Sequence, residues 1–184
     1  SKTASTPCGP DIIDYVYLKE EMAGNNTFEY LPVWPEELAS TAFPNTQQLT
    51  ISSLMFYGRL NPGGSSSATA TLAIWTVEEG SYKPLNLITS AKVTINTALQ
   101  NYTVALTSPI TLSDTFAITL ENETFLDTID VVISDPNSTN TQELLSWYDY
   151  QGFWETMPEV NGIEAEFVLM PVVSYDLKAD FTAN

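Results

Sequence analysis

A chain of 184 residues that is 43% apolar has the length of one globular domain and can bury a sizeable core. Its formal charge is -17, and the six bases Lys2, Lys19, Arg59, Lys83, Lys92 and Lys178 are never adjacent. That excludes the basic patch needed to hold nucleic acid or an anionic membrane surface, and no apolar run reaches the 18 residues of a membrane-spanning helix.

Thr, Ser, Val, Ile, Tyr and Phe are abundant, which favours strands. Residues 1–10 read as a linker, because Ser, Thr, Pro and Gly bury too little area to offset their ordering entropy. They lack the apolar centre of a signal peptide, so the chain is expected to be a mature or internal segment. Cys8 is the only cysteine and cannot form an intrachain disulfide. It is either an idle residue near a boundary or a thiol for a partner elsewhere.

The folded unit is expected over residues 11–175. Ile12 to Lys19 is strand-like, and Gly24-Asn25-Asn26 turns the chain before Phe28 to Leu31. Pro32 and Pro35 bracket Trp34 in a connection, where residues 36–39 have room for one helical turn at most. From Gln47 to Leu60 the apolar alternation slips by one residue at Ser52-Ser53, the mark of a β-bulge. After the Asn61 to Ser67 loop, the uncharged run Ala68 to Val77 suits a central strand.

Apolar runs follow at Leu85 to Ile88 and Ala91 to Ile95. Regular alternation then marks Tyr102-Val104-Leu106 (a strand ended by Pro109), Phe116-Ile118-Leu120, Ile129-Val131-Ile133 and Ala165-Phe167-Leu169. About nine or ten short strands without a helix-length periodic segment predict an all-β, antiparallel, jelly-roll-like β-sandwich.

With no histidine and one cysteine, the chain lacks Ser-His-Asp and Cys-His nucleophile systems and the common zinc sites. A carboxylate-pair glycosidase needs only two acids at the right separation, but Glu78, Glu79, Glu121, Glu123 and Asp135 fall at strand ends or turns, where solvation explains them. The expectation is therefore a protein that is not an enzyme and needs no cofactor. A structural calcium ion is the exception to weigh, with Asp127, Asp130 and Asp135, flanked by Glu121 and Glu123, as the densest supply of hard oxygen ligands.

Residues 146–154 hold five aromatics in nine positions. Trp147, Tyr148, Tyr150 and Trp154 are the candidate ligand-binding residues, since aromatic faces beside polar side chains suit sugar rings. The alternative is that the two tryptophans pack around a hairpin centred on Gln151-Gly152.

Several motifs in order carry a resemblance. They are Cys8 to Asp11, Leu49 to Gly58 (Leu-Thr-Ile-Ser-Ser-Leu-Met-Phe-Tyr-Gly), Ala70 to Trp75, Tyr102 to Ile110, Asp114 to Leu120, Gly152 to Trp154 and Ala165 to Tyr175. Together they resemble a β-sandwich accessory module of multidomain secreted Bacteroidota surface proteins associated with type IX secretion. Residues 176–184 look like a linker and the first strand of a following PKD-type immunoglobulin-like domain.

The resemblance implies an extracellular or cell-surface module for adhesion, assembly or spacing and carries no catalytic residues; the aromatic segment makes a carbohydrate-binding module the alternative, and the acids make a carboxylate-pair glycosidase the third reading. The implied partners are other domains of the same chain, surface glycans or neighbouring copies, without nucleic acid or membrane insertion. It also singles out Thr128, because Asp127-Thr128-Ile129 resembles the O-glycosylation acceptor of these bacteria, although the tripeptide equally fits an unmodified strand entry.

Overall fold

The structure is a computed structural model that describes residues 4–12, 29–61, 64–134 and 145–179. Twelve strands follow one another: β1 (Ala4–Ile12), β2 (Tyr30–Val33), β3 (Leu38–Phe43), β4 (Leu49–Leu60), β5 (Ser67–Val77), β6 (Pro84–Asn96), β7 (Gln100–Leu112), β8 (Phe116–Asn122), β9 (Ile129–Val132), β10 (Ser146–Tyr150), β11 (Phe153–Thr156) and β12 (Leu169–Ala179). A five-residue helix, α1 (Met157–Asn161), separates the last two.

The strands form two six-stranded antiparallel sheets. One runs β1-β12-β4-β9-β2 with β7 also on β4, and the other runs β11-β10-β3-β8-β5-β6. In the first sheet Ile51 pairs with both Val173 and Ile110, and Gly58 with both Val131 and Gln100, so β7 takes the edge of β4 opposite β12 and β9. The expected all-β sandwich is present.

Period-two patterning explains the core. Ala39 and Phe43 of β3, Leu72 and Ile74 of β5, and Phe116, Ile118 and Leu120 of β8 are buried in one cluster with Ile51, Leu54, Phe56 and Leu60 of β4. The cross-strand pairs Phe43/Phe116 and Phe56/Tyr102 stack with ring centroids 5.3 Å and 5.2 Å apart. Each large side chain so buried stabilises the fold by about 1.5–3 kcal/mol.

The β-bulge expected at Ser52-Ser53 is found, as register shifts between Ile51 and Ser53 against β7 and between Val172 and Val173 against β12. The uncharged β5 is interior, flanked by β8 and β6.

Other expectations are corrected. The described residues hold twelve strands where nine or ten were expected. Residues 4–10 are not a linker but most of β1, paired with β12 from Ala4↔Ala179 to Ile12↔Val172, and β12 itself extends to Ala179. Main-chain ladders need no apolar side chains, so composition alone conceals them. Residues 35–36 form a turn that leads into β3 at Leu38, in keeping with the connection expected there.

Pro109 does not end β7. The ladder with β4 is interrupted between Ala105 and Ile110, and an edge strand tolerates the missing N–H there. Ala165 and Phe167 are buried as the alternation predicts, yet regular pairing of the last strand begins only at Leu169.

Candidate functional site

Trp34, Pro35, Glu36 and Glu37 form a tight turn between β2 and β3, closed by the Glu37 N–H donating to the Trp34 carbonyl at 3.1 Å. Proline at the first central position and a positive φ of 67° at Glu36 are the requirements of a type II turn. A non-glycine residue in that region costs about 1–2 kcal/mol, so surrounding contacts must hold it.

They come from Asn122, which is fully buried at the end of β8. Its carbonyl accepts from Glu36 N–H at 3.0 Å, and its N–H donates to the Glu37 carbonyl at 3.2 Å. Its side-chain amide donates to the Val33 carbonyl at 2.8 Å and the Asp127 carbonyl at 2.9 Å, while Oδ1 accepts from Thr124 N–H at 2.9 Å. One side chain thus ties the Trp34 turn to the loop between β8 and β9.

The turn forms one wall of a cleft of about 140 Å³ lined by Leu31, Pro32, Trp34, Glu37, Tyr148, Tyr150 and Val160. Trp34 and Tyr150 are exposed at its rim (56% and 51%), whereas Glu37 is only 6% exposed. Oε2 of Glu37 accepts from the Trp34 N–H at 3.3 Å and from the Tyr148 hydroxyl. Burial, and then the bond to Glu37, push the Tyr148 phenol well above its ordinary value, so it keeps its proton and remains a donor.

Val160 reaches the cleft from α1. That helix starts at Thr156, whose N–H and hydroxyl both donate to the Glu159 carboxylate at 2.8 Å, and it stops at Gly162 with φ 68°.

The four aromatics singled out by sequence are divided between two faces. Ser146 and Tyr148 of β10 pair with Thr41 and Ala39 on the core side, and Tyr148 stacks on Phe167 at 6.2 Å. Tyr148 and Tyr150 therefore reach the cleft. Trp147 and Trp154 lie on the outer side of the sheet, opposite Ser40/Thr156 and Asp149 respectively, and both are half-buried.

The hairpin turns at Gln151-Gly152, with φ 53° and 89°, and Asp149 Oδ1 accepts the Gly152 N–H at 2.6 Å. Sequence reasoning missed Trp34, Glu37 and Asn122. The legible signal was the pair of prolines around Trp34, which hold an aromatic ring at low entropic cost.

The proposed calcium ligands have protein partners or lie out of view. Asp127 Oδ1 accepts Ser65 N–H at 3.1 Å, and Asp130, 2% exposed, pairs with Arg59 Nε at 3.1 Å. Asp135 lies outside the described residues. Among those residues, no three His, Cys, Asp or Glu side chains come together in a group that could hold a metal. Thr128 is 8% exposed.

A second cleft, of about 310 Å³, is lined by Asn45, Val77, Glu78, Glu79, Gly80, Tyr82, Asp114 and Thr115. Its three carboxylates are exposed, and Glu78 is tied to Ser81 and Lys83. These are solvated turn acids, as the sequence suggested.

The Trp34 turn, the β8–β9 loop and the β10–β11 hairpin share one end of the sandwich, since Leu38 pairs with both Glu121 and Asp149. That end displays Trp34, Phe125 (90% exposed), Leu126, Tyr150 and Phe153.

Neither a protein-family model nor a curated protein matches the chain. Among solved structures, it is similar to the clostridial cysteine protease Cwp84 after propeptide cleavage, with a TM-score of 0.56 and 12% identity. The match covers 79% of this chain but 37% of the protease chain, so this sequence spans well under half of that protein's length. At that identity the likeness is one of fold, and a cysteine protease's thiol and imidazole have no counterpart pair in a sequence without histidine.

Proposed function

We propose that this chain is a non-catalytic binding module of a larger secreted or cell-surface protein, and that it takes a carbohydrate ring in the cleft between Trp34 and Tyr150. The observation that carries the reading is the pairing of two exposed aromatic rings with the buried Glu37 carboxylate at the loop end of the sandwich. Aromatic faces accept the apolar C–H face of a sugar, and a carboxylate receives its hydroxyls. Drug-sized pockets run to about 300–1,000 Å³, so a cleft of about 140 Å³ fits a single ring at a chain end.

Among the described residues, Glu37 is the only carboxylate lining this cleft. Glycoside hydrolysis needs two, which favours binding without turnover.

A glycan-array screen followed by calorimetry tests the reading. Trp34→Ala and Tyr150→Ala should each weaken binding at least tenfold while leaving the melting temperature within a few degrees, because both rings are exposed. Binding unchanged in both variants would place the ligand elsewhere.

A second reading, self-assembly, is favoured by β6. This strand ends its sheet and exposes Leu85, Leu87 and Ile88, and no acid occurs between Glu79 and Asp114 to repel another strand. Light scattering over a concentration series, with Leu87→Lys as control, separates a monomer from an edge-paired assembly.

A further inference from the structure

We infer that the ligand of this cleft carries a protonated amine, so that the ring held between Trp34 and Tyr150 is an amino sugar whose ammonium group pairs with Glu37. The inference rests on the reading of the cleft as a sugar site and specifies its chemistry.

Among the described residues, Glu37 is a buried acid without a counter-charge. Buried charges are ordinarily paired, and Asp130, buried to a similar degree, has Arg59 at 3.1 Å. Among the described residues, no Lys or Arg nitrogen reaches Glu37, whose donors are the neutral Trp34 N–H and Tyr148 hydroxyl. Both go to Oε2, and no base lines the cleft. Arg59 is engaged elsewhere, stacked on Tyr30 at 4.8 Å and held by Asp130.

The donor inventory favours the same ligand. The Trp34 N–H and the Tyr148 proton are already engaged inside the cleft, so the side-chain donors left among the described lining residues are those of the exposed Trp34 and Tyr150. An acetamido group presents a carbonyl that needs a donor. An ammonium group presents donors only, matching a carboxylate flanked by aromatic faces, which themselves attract cations. A net charge of -17 raises the local concentration of cationic ligands further.

The test is calorimetry on the folded chain with four probes: a glucosamine oligomer, its N-acetylated form, the corresponding glucose oligomer and choline. The glucosamine oligomer should bind at least tenfold more tightly than the two neutral sugars. Glu37→Gln, which keeps an acceptor for Trp34 and Tyr148, should erase that preference, and its melting curve checks that it folds. Trp34→Ala, with unchanged net charge, should lose binding. If it binds the amine as well as the parent does, attraction to bulk charge explains the result and the inference falls.

Equal binding of neutral and amino sugars would overturn the inference while leaving the sugar reading standing. Choline carries no N–H, so its binding without any sugar would reflect charge and aromatic faces alone and would overturn the inference. Silence from all four probes would remove both.

Discussion

Tyr148 donates its phenolic proton to Oε2 of Glu37, joining β10 to the turn before β3 across 111 residues of sequence. The bond keeps a buried carboxylate satisfied and supports the wall of the cleft that carries Trp34. Tyr148→Phe removes the donor and keeps the ring on Phe167. Leaving a buried acceptor short of a partner costs about 1–3 kcal/mol, so denaturant unfolding should show a loss of that size, together with weaker ligand binding.

Asn122 fastens the same turn from the other side. Asn122→Ala would take the amide donor from the Val33 and Asp127 carbonyls, leaving Asp127 with the Thr124 hydroxyl alone, would strip the Thr124 N–H of its acceptor, and would release a turn held at positive φ. The expected loss is about 2–4 kcal/mol, on the scale of two or more unmade buried hydrogen bonds. Hydrogen exchange should show faster opening of residues 34–37 and 123–128 before the rest of the sandwich.

Gly58 sits where β9 and β7 flank β4. A Cβ there would lie 2.3 Å from the Asp130 carbonyl oxygen, a backbone atom that cannot swing aside. Gly58→Ala should destabilise the fold by about 1–3 kcal/mol or more, the usual range for overpacking. Chemical denaturation measures it, and a neutral result would mean that the β4–β9 ladder yields easily.

Glu166 accepts the Leu145 N–H at 2.8 Å, while its buried Oε2 has no hydrogen-bond partner among the described residues. Burial pushes its carboxyl above the ordinary value. The folded state therefore holds that proton more tightly than the unfolded chain, and the associated stability is present at low pH and lost as pH rises through the raised value. Glu166→Gln should accordingly melt higher than the parent at pH 7, with the advantage disappearing toward pH 4. An advantage that persists at low pH would trace to packing instead of ionisation.

Ser40 is completely buried on the outer side of its sheet, opposite Trp147, and among the described residues neither the Ser40 hydroxyl nor the Trp147 indole N–H has a hydrogen-bond partner. Ser40→Ala removes one unsatisfied group from a close-packed place. A gain of about 1 kcal/mol is expected, read as a higher melting temperature.

The sequence by itself determined the class of fold, because residues two apart along a strand must share a face whatever the strand pairs with. The alternations Phe116-Ile118-Leu120 and Tyr102-Leu106 therefore named core residues correctly, and the slip at Ser52-Ser53 revealed a bulge. The aromatic segment 146–154 was also visible as a hairpin with a functional look. Its division into Tyr148 and Tyr150 on one face and Trp147 and Trp154 on the other follows from the same period.

What only the tertiary structure decided was which of those faces meets a cleft. β3 lies beside β10, and that neighbour carries the Trp34 turn and Glu37 to Tyr148. Pairing between segments more than a hundred residues apart depends on the summed packing of the whole sandwich, which no local pattern encodes. The same holds for β1, where Ser, Thr and Pro are ordered by main-chain bonds to β12. Their side chains gave no sign of it.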